Sequence, residues 1–375
     1  AKATLEDEPI AEIILKSYFK AALITALSFR NILKKRQIDV VVLHHGIYVP
    51  QGIICSVAKE LGVRVVAWNI AYRKNRFIFS HGDTYHHTLI DEPVEKWSDM
   101  NWSKKKNDEL LAYLQGRWFG DDDWINFNQE NPNPKNMQVY DDLGLEKDKP
   151  CISMLTNVLW DAQLHYPANA FSNMLEWIYE TIDFFIKRPD LQLIIRVHPA
   201  EETGRIKSRQ RVADEIQKKF NKLPRNIKVI KPKNNISSYD VVNVSDCALI
   251  YGTKMGVELS ASDKPVIVAG EAWIRGKGLT IDASTKKDYL EKLNKLPLEN
   301  QLSENQKYKA KLYAYHFFFR RMIPIKAVKQ KSGWPPYDIS LNSIKELLPH
   351  KDKGLDVICN GITEGTDFIY DESDL

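Results

Sequence analysis

Residues 193–202 read LIIRVHPAEE, so an apolar run ends in a His, a Pro and two Glu, with an Arg just before them. A strand needs none of these groups to fold. They are either surface punctuation or ligand contacts at the edge of a sheet. Comparable sets follow the other apolar runs of the second half. After ISML come Thr156, Asn157 and Asp161. Arg196 lies on LIIRV itself, with His198, Glu201 and Glu202 beyond it. After ALI come Tyr251, Gly252, Thr253 and Lys254, with Gly256 and Glu258 opening a helix. After PVIVAG come Glu271, Arg275 and the glycine-rich RGKG that holds Lys277. Two of these sets carry glycines near helix starts, where unpaired N–H groups and a partial positive charge suit phosphate. Lys, Arg and His beside them would neutralise a diphosphate, and a Glu one turn into a helix can accept both hydroxyls of a ribose. Together they describe a nucleotide site. The spacing is neither GxxxxGK[ST] nor GxGxxG. Taken singly, Glu258 reads equally as a solvated helix residue and Arg196 as a structural ion pair. The recurrence at consecutive strand ends carries the reading.

The first half offers HHG at 44–46 and SHGDTYHH at 80–87. Asp83, His45 or His81 at a cleft edge could take a proton from a sugar hydroxyl, and capping or loop hydrogen bonds explain any one of them equally well. No HExxH occurs and no Cys is near, so no metal or other cofactor is expected. The DDD run at 121–123 reads as a solvated acidic turn.

These groups need elements to position them. IDVVVLHHG and VRVVAWN are apolar strands flanking a helix that begins near Pro50 and ends at Gly62, a βαβ unit. In the second half, strands within CISMLTNVLWD, LQLIIRVHP, NIKVIKP, CALIYG and KPVIVAG alternate with helices, among them FSNMLEWIYETIDFFIKRP and the charged GRIKSRQRVADEIQKKF. Strands this uniformly apolar belong to parallel sheets covered on both faces. The expected fold is α/β, with two Rossmann-like doubly wound parallel-sheet domains facing across a cleft. The first spans residues 1–128. A Pro- and Asn-rich linker at 129–150 leads to the second at 151–304, and a helix and tail at 305–375 pack back on the first. The chain opens on a helix, whereas such domains more often open on a strand, so preceding sequence is expected.

Composition bounds the function. A formal charge of +4 over 375 residues with no long Lys/Arg block argues against a nucleic-acid binder. Cys55, Cys151, Cys247 and Cys359 form no CxxC pair, and three lie in or beside apolar runs, which reads as buried reduced thiols in a cytoplasmic setting. No apolar run is long enough to span a membrane. RNILKKR and FFFRRMIPIK are candidate contacts to its inner face, or else solvated faces of core helices.

RVHPAEE and SYDVVNVSDCALIYGTKMGVELSASDKPVIVAGEAWIRGKGLT together resemble the donor-binding half of GT-B glycosyltransferases. The likeness is to the group of bacterial capsule and lipopolysaccharide synthesis that includes Kdo transferases. It covers about residues 190–280. It rests on HP after one strand, SD before the next, a small-residue turn into Gly-x-Glu, then KPVIVAG and a glycine-rich loop. The resemblance implies that His198, Thr253 and Lys254 contact donor phosphates and Glu258 the nucleoside. Where the family often has Ser-Thr-x-Gly, this chain has Gly252-Thr253-Lys254-Met255-Gly256. The implied activity is metal-independent transfer from a nucleotide sugar to an oligosaccharide or lipid-linked acceptor. Three alternatives stand beside it: a CDP-glycerol-type polyol-phosphate transferase, suggested by HHG with HP; a nucleotide-sugar epimerase; and a non-catalytic scaffold of a polysaccharide assembly complex.

Overall fold

The computed structural model describes residues 2–5, 7–119, 123–124, 136–161, 167–298, 302–333 and 335–371. Asp121, Asp122 and residues 129–135 of the expected linker lie outside them; Asp123 forms an isolated bridge with Arg73. The chain divides into two units. One gathers residues 5–93, 122–125 and 315–375, the other residues 1–4, 94–121 and 126–314. Chain order and spatial order therefore differ. Residues 94–121, which composition groups with the first half, belong with the second. Helix Asn136–Leu143 starts inside the stretch read as linker, and buried Val139 and Leu145 share a core cluster with Ile194 and Ile230.

In the first unit, helix Ala11–Lys35 precedes β1 (Val40–His44), helix Gln51–Glu60, β2 (Arg64–Ile70) and β3 (Arg76–His81). β1 and β2 run parallel, as a βαβ unit requires. β3 is antiparallel to β2, so this sheet is mixed where a parallel one was expected. The reason is the connection: residues 71–75 are too few for a crossover, and a short turn can only reverse the chain.

The second unit holds β4 (Cys151–Leu155), β5 (Gln192–Arg196), β6 (Ile227–Ile230), β7 (Cys247–Ile250), β8 (Val266–Val268) and the two-residue β9 (Ile281–Asp282). All are parallel, in the order β6-β5-β4-β7-β8-β9. This is the doubly wound arrangement expected of an α/β domain. Helix Met174–Ile186 lays Trp177, Ile178, Ile182 and Phe185 against Ile152, Leu193 and Leu249, all 0 % exposed. Each such side chain contributes about 1.5–3 kcal/mol by leaving water. The charged stretch expected as one helix over 204–220 is helical only from Val212 to Phe220. The chain returns to the first sheet with β10 (Ile323–Pro324), antiparallel to β3, and then forms a small ladder of β11 (Val328–Gln330) and β12 (Tyr337–Ile339).

Three of the four cysteines are buried, and Cys359 is exposed. No helix among the described residues is long and apolar enough to cross a membrane.

Candidate functional site

In the six-stranded sheet the chain moves outward one way from β4 and the other way from β7, so the switch point lies between their carboxyl ends. Open parallel sheets bind ligands there, because crossovers diverge and leave a crevice. Asn157, just past β4, donates from Nδ2 to the Gly252 carbonyl past β7 at 3.0 Å, while its buried Oδ1 has no hydrogen-bond partner among the described residues. Thr156 Oγ1 accepts from the His198 N–H at 3.3 Å, tying the ends of β4 and β5 together. The structure thus brings Asn157, His198, Gly252, Thr253 and Lys254 to one edge. Asp161 is exposed in the loop that leaves β4.

The His198 ring is half-buried, and its Nδ1 accepts from the Ala200 N–H at 3.1 Å, so the proton of the neutral ring sits on Nε2. Burial, aided by the positive charge of Arg196, lowers its pKa to about 4. At neutral pH His198 is an uncharged donor. Thr253 Oγ1 accepts from the Met255 N–H at 3.3 Å and shapes the turn into helix Met255–Ala261. Gly256 is required there: a Cβ would lie 2.6 Å from Ile250 Cδ1 and 2.9 Å from Ile274 Cγ2.

Glu258 is buried at the centre of a charged network. Its Oε2 accepts from the Tyr239 hydroxyl at 2.8 Å and lies 3.0 Å from Arg117 Nε; its Oε1 is 3.5 Å from Lys254 Nζ. Arg117 also donates to the Tyr113 hydroxyl at 2.8 Å. Neither Arg117 nor Tyr239 stood out among the strand-end groups. One local signal was present: in helix Lys104–Phe119, Leu110, Tyr113, Leu114 and Arg117 share the buried stripe, so a cation stands where an apolar residue belongs.

Other expected site residues turn inward. Arg196, 3 % exposed, donates to the carbonyls of Val197, Lys231 and Pro232 at 2.9, 2.8 and 3.4 Å. The Tyr251 hydroxyl donates to the Phe171 carbonyl at 3.0 Å inside the core. Glu201 is fully buried; its Oε1 accepts from the Val212 N–H at 3.1 Å, capping helix Val212–Phe220, and burial raises its pKa to about 7. Their bonds join parts of their own unit. Lys277 is buried in the RGKG turn, its ammonium 5.2 Å from the centre of the Tyr313 ring.

The three candidate bases of the first half do not share one setting. His81 is in register with Val66, two residues before Trp68, the partner of His44; its Nε2 donates to the Thr366 carbonyl at 2.8 Å. Burial alone would raise the Asp83 carboxyl, but bonds from His87 and the Thr84 N–H, with the charges of His87 and Lys59, outweigh it and hold it at about 2. His45 closes β1 with φ +62°, a left-handed backbone that is uncommon outside glycine. Its buried Nδ1 has no hydrogen-bond partner among the described residues, and burial together with His44 lowers its pKa to about 4. Among the described residues no group of three His, Cys, Asp or Glu is placed to hold a metal ion.

No curated protein matches the chain. Among solved structures, two from Thermosulfurimonas dismutans KpsC are similar. The beta Kdo 2,4 transferase has a TM-score of 0.47 at 14% identity, over 74% of this chain and 78% of that one. The beta Kdo 2,7 transferase has a TM-score of 0.42 at 14% identity, over 75% and 78%. The UDP-GlcNAc 2-epimerase of Methanocaldococcus jannaschii, in complex with UDP-GlcNAc and UDP, has a TM-score of 0.35 at 15% identity, over 77% and 78%. At these scores none bears on what the chain does. The family match is more telling, since it takes in every strand of the six-stranded sheet and the turns that group His198, Gly252, Thr253 and Lys254. The model for capsule polysaccharide biosynthesis protein matches residues 128–316, half of the sequence, and the chain belongs to that family.

Proposed function

We propose that this chain is a GT-B glycosyltransferase of capsule polysaccharide synthesis, taking a nucleotide sugar at the carboxyl edge of its six-stranded sheet and transferring the sugar to a glycan or lipid-linked acceptor. The observation that carries the reading is the Asn157–Gly252 bond across the switch point, with His198, Thr253 and Lys254 beside it. The Lys254 ammonium and the His198 Nε2–H would stabilise the departing phosphate without a metal, by fixed charge and a fixed donor. In this reading Glu258, paired with Arg117 and Tyr239, holds Lys254 in place rather than meeting the nucleoside by itself. If the reaction inverts the anomeric centre, His45 is the preferred base: its ring is neutral at pH 7 with Nδ1 unpartnered among the described residues, whereas the Asp83 carboxylate already accepts from His87 and the Thr84 N–H and, held at about 2, is the weaker proton acceptor.

The test is incubation of labelled CMP-, CDP-, UDP-, GDP- and dTDP-sugars, and of labelled CDP-glycerol, with capsule oligosaccharides and lipid-linked fragments, with and without EDTA. Label moving to an acceptor, unaffected by EDTA, supports the reading. Release of an isomerised free sugar without acceptor would favour the epimerase. Consumption of CDP-glycerol instead would favour the polyol-phosphate transferase, and no turnover of any substrate would favour the scaffold.

A further inference from the structure

Helix Ala11–Lys35 is the longest of the described helices and holds no buried residue. One stripe of it is half-buried: Ala22, Thr25, Ala26, Phe29 and Leu33 recur at three- and four-residue steps. Phe29 packs on the core cluster of Leu43, Cys55, Ala58 and Val65, and Arg30 pairs with Glu60 at the end of helix Gln51–Glu60. Leu15, Phe19, Leu23 and Leu27 form a second stripe. They recur every fourth residue, so they adjoin as one ridge, and they are 57, 72, 49 and 55% exposed. Tyr18 and Ile24 widen the ridge and are more than half exposed. Folded chains rarely leave so continuous an apolar surface bare.

The charge beside the ridge is of one sign. Residues 16–36 hold six Lys and Arg and no acid, a net +6 in a chain whose total is +4. Lys16 pairs with Glu12, and Arg30 with Glu60. The other four, Lys20, Lys34, Lys35 and Arg36, are exposed, and their side chains form no hydrogen bond or ion pair with any described residue. Lys20 flanks the ridge beside Phe19, and the remaining three stand about two turns past Leu27. A lysine stem can lie along apolar surface while its ammonium reaches outward to a phosphate. The second basic stretch, FFFRRMIPIK, offers no such face: Phe317, Phe318, Phe319, Arg321, Met322 and Ile323 are all buried.

We propose that helix Ala11–Lys35 docks on an anionic lipid surface, with Phe19, Leu23 and Leu27 inserted at the headgroup boundary and Lys20, Lys34, Lys35 and Arg36 on lipid phosphates. Phe and Leu that can insert, beside cations that lack partners, are what such a surface binds. A second copy of this chain fits less well, because a two-fold contact brings the same cations together with no acid on the ridge to answer them. Single-stranded nucleic acid would meet the cations but leave the leucines in water. The docking does not depend on the transferase reading; it would hold the chain where a lipid-linked substrate lies.

The test is co-sedimentation of the full chain with vesicles of mixed phosphatidylglycerol and phosphatidylcholine, against vesicles of phosphatidylcholine alone. Three variants are compared with wild type: Phe19→Ser/Leu23→Ser/Leu27→Ser, Lys20→Gln/Lys34→Gln/Lys35→Gln, and Ile339→Ser/Ile344→Ser/Leu348→Ser. The last removes three exposed apolar residues elsewhere in the same unit. Wild type is expected to bind the mixed vesicles about tenfold more tightly than the neutral ones. The ridge variant should lose about tenfold on the mixed vesicles, the lysine variant should lose the preference for them, and the third should bind as wild type does. Should the ridge variant fail to fold, the lysine variant decides the question alone. Absence of vesicle binding, equal binding to both vesicles, or an equal loss in the third variant would overturn the proposal. So would a dimer, seen by light scattering, that the ridge variant dissolves, since it would assign the face to a second copy. Nucleotide binding on the same samples tests the donor site separately, and neither result decides the other.

Discussion

Arg117 Nε stands 3.0 Å from Glu258 Oε2, and both side chains are 4% exposed. The two residues are 141 positions apart in sequence. Their pairing fastens helix Lys104–Phe119 to the turn that presents Lys254, so one buried ion pair serves both the unit and its candidate phosphate site.

Removing one partner of such a pair leaves the other charge buried without compensation. Arg117→Met should therefore destabilise the unit by about 3 kcal/mol, and Arg117→Met combined with Glu258→Gln should recover much of the loss. Urea denaturation of wild type, Arg117→Met, Glu258→Gln and the double variant checks this. Full additivity of the two single substitutions would mean the pair is not coupled.

Glu201 gives a pH prediction. Burial raises its pKa to about 7. Between the ordinary carboxylate range and pH 7 the folded chain keeps a proton that the unfolded chain has lost, so stability falls as pH rises through that window. Glu201→Gln keeps an acceptor for the Val212 N–H and removes the titration. The variant should gain about 1 kcal/mol or more over the parent at pH 8 and nothing at pH 4. Urea midpoints at the two pH values decide it.

How far the site was legible depends on whether its determinants are local. The strand ends were, because an apolar run that stops at Asn157, His198 or Thr253 marks an edge in one dimension as it does in three. The mixed first sheet was not: the five residues between β2 and β3 decide its direction, while periodicity reports only that β3 is buried. Arg196 and Tyr251 looked like ligand contacts by position, and only their carbonyl partners, brought by the fold, show them facing inward. The 204–220 stretch has helical composition throughout. Its first half follows a bent, non-helical course tied down by bonds between Ser208 and both Trp160 and Glu201 and between Gln210 and Ala3, which no local pattern contains.

The thiols should separate by burial. Cys151 and Cys247 are pushed up to about 12 by burial, whereas Cys359 is exposed. A disulfide-exchange reagent should titrate Cys359 in the native chain and reach Cys151 and Cys247 only with unfolding. Native reaction at either buried thiol would contradict this packing.

The central claim is a nucleotide site at the carboxyl ends of β4, β5 and β7, and thermal stability tests it most directly. Wild type and His198→Ala are melted with CMP, CDP, UDP, GDP and dTDP at saturating concentration. A ligand that binds only the folded chain raises its melting temperature. The expected result is a rise of several degrees with one nucleotide, clearly reduced in His198→Ala, while the unliganded variant melts close to wild type. No rise with any of the five would contradict the donor site and leave the scaffold as the better reading.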